Sequence, residues 1–146
     1  MDQPQAQRDH YAYFSRITTR WMDNDIYGHV NNVTYYSYFD TVANEFLINK
    51  GGLNIQDARV VGFVVASQCQ YLAPVAHPSV IEAGFRVNRL GNSSVEYGIA
   101  IFEEGKDNAS AFGSFTHVFV DRTTNSSVSI PTGIRAALEA AQTGAG

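Results

Sequence analysis

The period of the hydrophobic positions changes along the chain, and the order of those changes predicts the fold. In YAYFSRITTRW (11–21) it is two: Tyr13, Ile17 and Trp21 share one parity, while Arg16, Thr18 and Arg20 share the other, as in a half-buried strand. Between 31 and 49 the period lengthens. Tyr35, Phe39, Val42, Ala43, Phe46 and Leu47 fall on one face of a helix, with Tyr36, Tyr38 and Ile48 extending apolar character to its sides, so the helix is expected to be embedded. Asn31 or Asn32 suits its N-cap, and Gly51-Gly52 its stop. Four alternating segments follow, predicting strands. The first carries Val61, Phe63, Val65, Cys69 and Tyr71 and is ended by Pro74. The second carries Ile81, Ala83, Phe85 and Val87 and turns at Gly91-Asn92; the third carries Val95, Tyr97, Ile99 and Ile101. The fourth is AFGSFTHVFVD, and Pro131 then opens a short amphipathic helix, TGIRAALEAAQ.

The predicted order is strand, long helix, four strands in a meander, short helix. A helix over 31–49 spans about 28 Å at ~1.5 Å per residue, and nine or ten strand residues at ~3.3 Å span about the same. One helix therefore fits along a curved antiparallel sheet, an α+β arrangement. The 146 residues contain no repeat and no linker, so a single domain over 1–146 is expected, with 1–9 and 142–146 flexible.

Composition narrows the function. A net charge of −4 lacks the basic face of a general nucleic-acid binder. Cys69 stands alone, so no intrachain disulfide and no cysteine-rich zinc site can form, and no metal is expected. The polar start MDQPQAQRDH lacks the apolar stretch of a secretory signal, and no apolar run approaches the ~20 residues of a membrane span. A cytoplasmic protein with no membrane partner is the expectation.

The chemistry concentrates in DNDIYGHVNN (23–32), at the threshold of the most apolar segment. A helix start presents unpaired backbone N–H groups and the positive end of its dipole. An aspartate brought beside it supplies a base or nucleophile where those donors hold a developing negative charge. Taken singly, each residue also has an ordinary role: Asp25 or Asp23 in a turn, Asn31 as a cap, His29 as a hydrogen bonder. His117, mid-strand, reads as structural.

The stretch TRWMDNDIYGHVNNVTYYSYFDTVANEFL resembles the acyl-CoA thioesterases of the 4-hydroxybenzoyl-CoA thioesterase family, which have the hotdog fold. That signature runs Asp-x-Asp, Gly-His-Val, Asn, then an aromatic-rich helix. The resemblance extends through VVASQCQYLAPV and FRVNRLGNSSVEYGIAIF, over roughly residues 13 to 121. It implies a five-stranded antiparallel sheet wrapped around one long central helix, with Asp25 as the catalytic carboxylate. It also implies that the N–H near Asn32 polarises the thioester carbonyl, with Gly28, His29 and Asn31 positioning the substrate. The substrate would be an acyl-CoA, hydrolysed without a cofactor beyond the CoA it carries. Arg89, Ser93 and Ser94 are the residues offered for binding CoA, although the basic cluster of some relatives is thin here. His77-Pro78-Ser79 replaces the Gly-Asp of many relatives. The resemblance further implies a homodimer or homotetramer, since an exposed edge and the apolar VVGFVVAS need covering. Two alternatives stay open: a module that binds acyl-CoA or an acyl carrier without hydrolysis, and a hotdog hydratase, whose proline-bearing His-Phe-Pro-Gly pattern is missing.

Overall fold

The computed structural model describes residues 4–54 and 56–142. Its five strands are β1 (Tyr13–Thr18), β2 (Val60–Tyr71), β3 (Val80–Leu90), β4 (Ser94–Glu103) and β5 (Ala111–Asp121). They form one antiparallel sheet in the order β1-β3-β4-β5-β2. Helix α1 (Asn32–Asn49) lies against its inner face, and α2 (Thr132–Ala141) packs at one end. This is the hotdog arrangement.

The caps and core follow from the residues. Asn31 accepts the Val33 N–H on its Oδ1 at 2.9 Å, capping α1, and Gly52, at φ 72°, takes the chain away from the other end. The predicted helical face is buried, joined by Tyr38. It meets Ile81, Ala83, Phe85 and Val87 of β3 and Val95, Tyr97, Ile99 and Ile101 of β4. Phe46 stacks on Phe85 with ring centroids 4.5 Å apart. Each such side chain contributes roughly 1.5–3 kcal/mol when fully buried.

Several expectations are corrected. The helix is not embedded all round, because Ser37, Asp40, Thr41 and Ile48 remain exposed on its outer side. The four later strands are not a simple meander: β3, β4 and β5 follow one another, while β2 crosses to the far edge beside β5. Within β2 the buried parity is also different. Gly62 lies opposite Phe119 and Val64 opposite His117, and the register shifts between Val64 and Ala66. A bulge centred on Val65 therefore moves the inward set from Gly62 and Val64 to Ser67, Cys69 and Tyr71, and leaves Phe63 53% exposed. Trp21 sits beyond β1 in a short 3-10 turn, Trp21–Asp23, and is exposed.

The leader, expected to be loose, is folded from Pro4 onward. Its 3-10 turns Pro4–Ala6 and Arg8–His10 bring Ala6 and Tyr11 into a second cluster with Phe102 and Phe112 on the outer face of the sheet. Arg8 pairs with Glu82 at 2.9 Å, its guanidinium 4.7 Å from the Phe102 ring centroid. Residues 1–3 and 143–146 lie outside the described residues. No described helix is long and apolar enough to cross a membrane.

Candidate active site at the opening of the long helix

Residues 23–31 form a small hairpin that delivers the chain into α1. The Asp25 N–H donates to the His29 carbonyl at 2.9 Å, the Gly28 N–H donates to the Asp25 carbonyl at 3.0 Å, and Asn24 bridges Val30. Gly28 closes the turn at φ +84°, a left-handed conformation that costs an L-residue roughly 1–2 kcal/mol. Open space surrounds the position where a Cβ would stand, so glycine is needed there for conformation. The Asp25 Oδ1 accepts the Tyr27 N–H at 2.9 Å. Its carboxylate therefore stands half-buried on the hairpin, beside His29, whose side chain is exposed.

Asp23 is the anchor. It is 2% exposed, and four contacts converge on its carboxylate: the Arg20 N–H at 2.9 Å, the Arg20 guanidinium at 3.1 and 3.0 Å, and the Tyr38 hydroxyl at 2.7 Å. Burial pushes the carboxyl pKa up, but these donors outweigh burial and hold it below the ordinary value. Its carbonyl accepts the Asn31 N–H at 2.9 Å, fixing the hairpin to the helix entrance. The β2–β3 connection clamps the other side. The Val30 N–H donates to the Val75 carbonyl at 2.7 Å, and the His77 N–H donates to the Asn24 Oδ1 at 3.0 Å. The His77-Pro78-Ser79 departure thus supports the site loop.

The helix start is selectively open. Of its first donors, the Asn31 N–H is taken by Asp23, the Val33 N–H by the Asn31 side chain and the Thr34 N–H by the Asn31 carbonyl. The Asn32 N–H has no partner among the described residues. It borders an open groove of about 310 Å³ lined by His29, Asn32, Tyr35, Tyr71, Leu72 and Pro74. Tyr71 went unnoticed as a site residue in the sequence. Its hydroxyl donates to the Asn32 carbonyl at 3.1 Å, and its ring meets Tyr35 edge-on at 5.1 Å. Burial raises the pKa of both hydroxyls, Tyr35 to about 12, so both stay protonated donors at neutral pH.

The remaining sequence candidates lie elsewhere. Arg89 is the penultimate residue of β3, Ser94 opens β4 and Ser93 precedes it, its carbonyl accepting the Phe119 N–H at 2.8 Å. The registers place all three at the opposite end of the sheet from the hairpin. Within one chain they are not brought to Asp25. His117 is buried on the inner face of β5 with its Nδ1 2.9 Å from the Tyr97 hydroxyl, and burial lowers its pKa to about 4. Among the described residues no three His, Cys, Asp or Glu side chains are grouped to hold a metal.

The fold, with a carboxylate hairpin set against an open helix start, defines a thioesterase-type hotdog protein. Residues 19–138 match the family model of the thioesterase-like superfamily, and the chain belongs to that superfamily. Its structure is similar to that of the PA5185 protein from Pseudomonas aeruginosa strain PAO1, with 56% identity and a TM-score of 0.93 over 95% of this chain and 97% of that one. It is also similar to PA2801, a proposed thioesterase from Pseudomonas aeruginosa, with 31% identity and a TM-score of 0.79 over 86% and 96% of the respective chains. A stretch of 96 residues is 26% identical to the uncharacterized protein YsmA of Bacillus subtilis strain 168, and spans 65% of this chain and 65% of that relative's length.

Proposed function

We propose that the protein hydrolyses acyl-CoA thioesters to a free acid and CoA. The observation that carries this reading is the Asn32 N–H, left without a partner where its neighbours are engaged, at the edge of a groove next to the Asp25 hairpin. A thioester carbonyl accepting that N–H would develop its negative charge at the positive end of α1. Asp25 then deprotonates a water that attacks the carbonyl carbon. The C–S bond breaks, and CoA leaves as a thiolate that takes up the proton. In the covalent variant the Asp25 carboxylate attacks first and water cleaves the mixed anhydride. One turnover in oxygen-18 water with excess enzyme tests the covalent route: water that attacks the Asp25 carbonyl of the anhydride leaves its label on Asp25, whereas the general-base route places the label in the acid. In this reading Gly28, His29 and Asn31 shape the hairpin and cap around the substrate, and no cofactor takes part.

The same reading calls for a homo-oligomer. Among the described residues no strand pairs with the outer edge of β2, which is 12 residues long and carries the exposed run Phe63, Val64 and Val65. Trp21, Met22, Ile26, Tyr27 and Val33 are exposed around the hairpin and helix start. A second copy adding its own β2 would cover such an edge. The test is a panel of aromatic, short and long acyl-CoAs with a thiol reagent reporting free CoA, run alongside light scattering. Release from at least one substrate by a dimer or tetramer is expected. Tight binding without release would favour the binding-module reading, and an active monomer would refute the assembly.

A further inference from the structure

The chain buries the tyrosines Tyr11, Tyr35, Tyr38 and Tyr97. Three of these hydroxyls are engaged: Tyr11 donates to the Gln5 carbonyl, Tyr38 donates to Asp23, and Tyr97 pairs with His117. Tyr35, only 3% exposed, meets Tyr38 and Tyr71 through its ring. Its hydroxyl has no hydrogen-bond partner among the described residues. A buried hydroxyl without a partner costs about 1–3 kcal/mol, and phenylalanine would fill the same space without that cost. Tyr35 borders the groove of about 310 Å³ beside Asn32. The two residues are one turn apart on the same helix face, and a helical side chain leans back toward the N-terminus. The unpaired hydroxyl therefore belongs to the wall along which the acyl part of a thioester held at the Asn32 N–H would lie.

The chemistry of that wall narrows the acyl group. Burial, and after it the neighbouring Cys69 thiol, push the Tyr35 pKa up to about 12, and burial pushes Cys69 up to about 11. Both groups are uncharged at neutral pH, and Tyr35 offers an O–H. An acyl group ending in a carboxylate would find no lysine or arginine in the groove lining and would be repelled by Asp25. A plain hydrocarbon chain would leave the hydroxyl unpaired. Width then separates a chain from a ring. Tyr71 reaches from β2 to the Asn32 carbonyl, and its ring stands edge-on to Tyr35 at 5.1 Å, already in contact, so no third ring enters between them. Building on the acyl-CoA reading, we infer that Tyr35 determines specificity: its hydroxyl donates to a neutral oxygen on an aliphatic acyl chain. Hydroxyacyl and oxoacyl thioesters are then preferred over saturated ones of the same length.

The test compares butyryl-CoA with its hydroxybutyryl and oxobutyryl counterparts, the oxygen standing on the second or the third carbon. Wild type is expected to favour the best oxygenated chain about tenfold in kcat/KM, the scale of one hydrogen bond. Tyr35→Phe should bring that ratio close to one, because a site built to bond an oxygen discriminates only while its donor is present. As the lost hydroxyl has no internal partner, Tyr35→Phe should melt no lower than wild type. Equal ratios in the two proteins, or no wild-type preference for an oxygenated chain, overturn the inference and leave the hydrolase reading standing. A melting temperature lowered as far as by Tyr38→Phe, which removes a bonded hydroxyl, also overturns it. So does a Tyr35-dependent preference for hydroxybenzoyl-CoA over benzoyl-CoA that exceeds the preference among chains. A wild-type protein that releases CoA from none of these thioesters, nor from the wider acyl panel, contradicts the hydrolase reading, and this inference falls with it.

Discussion

Replacing Tyr38 with Phe removes one hydroxyl and tests how the site hairpin is held. The hydroxyl is one of the contacts converging on the Asp23 carboxylate, and the shortest at 2.7 Å. The Arg20 guanidinium that shares this carboxylate is 67% exposed, so solvent weakens its contribution. Tyr38 is 5% exposed, and its bond is the less screened. Losing a buried hydrogen bond to a charged group costs about 1.5–3 kcal/mol. At roughly 2–4 °C per kcal/mol for a domain of this size, the melting temperature should fall by roughly 3–12 °C. The pH dependence follows from the direction of the Asp23 shift. Its folded pKa is lowered, so its stabilisation is complete above the ordinary aspartate value, ~3.9, and is lost as the pH falls through the folded value. The gap between wild type and Tyr38→Phe should therefore be full at neutral pH and shrink below pH ~4. Thermal melts by circular dichroism at fixed protein concentration, from neutral to acid, measure this. Equal melting temperatures at neutral pH, or a gap that does not shrink on acidification, would refute the reasoning.

His117 supplies a second pH signature. With its folded pKa lowered from 6.5 to about 4, the unfolded chain binds its proton first, so stability is full above pH ~6.5 and falls by roughly 3 kcal/mol by pH ~4. Denaturant melts of wild type and His117→Gln across that range should show the slope in the former and much less in the latter. Gly62→Ala should destabilise by about 1–3 kcal/mol, because the new Cβ would stand 2.7 Å from the His117 Nδ1; an unchanged denaturation midpoint would contradict that packing.

The sequence made α1 legible because its contacts repeat every three or four residues along a single element, and Tyr35, Phe39 and Phe46 fall where that period puts them. The inward set of β2 was not legible. The bulge at Val65 is defined by pairing with β5, some fifty residues away, and a continuous run of Val and Phe shows no break of its own. The crossing of β2 to the far edge escaped for the same reason: alternation says that a strand exists and nothing about its neighbour. In the site, the role of Asp23 as a structural anchor was readable from its place in a turn, but its partner Tyr38 lies fifteen residues on and looked like a flank of the helix. Tyr71 had no local signal, since its link to Asn32 is a tertiary contact.

The most direct test of the central claim is steady-state turnover of an acyl-CoA by Asp25→Asn, beside wild type and Asp23→Asn, all below their melting transitions and in the same oligomeric state. An amide at position 25 keeps the size of the carboxylate but neither accepts the proton from water nor attacks the carbonyl. The expected result is a loss of kcat on the order of 100-fold or more for Asp25→Asn, with Asp23→Asn losing far less. A folded Asp25→Asn protein that releases CoA at the wild-type rate would contradict the account.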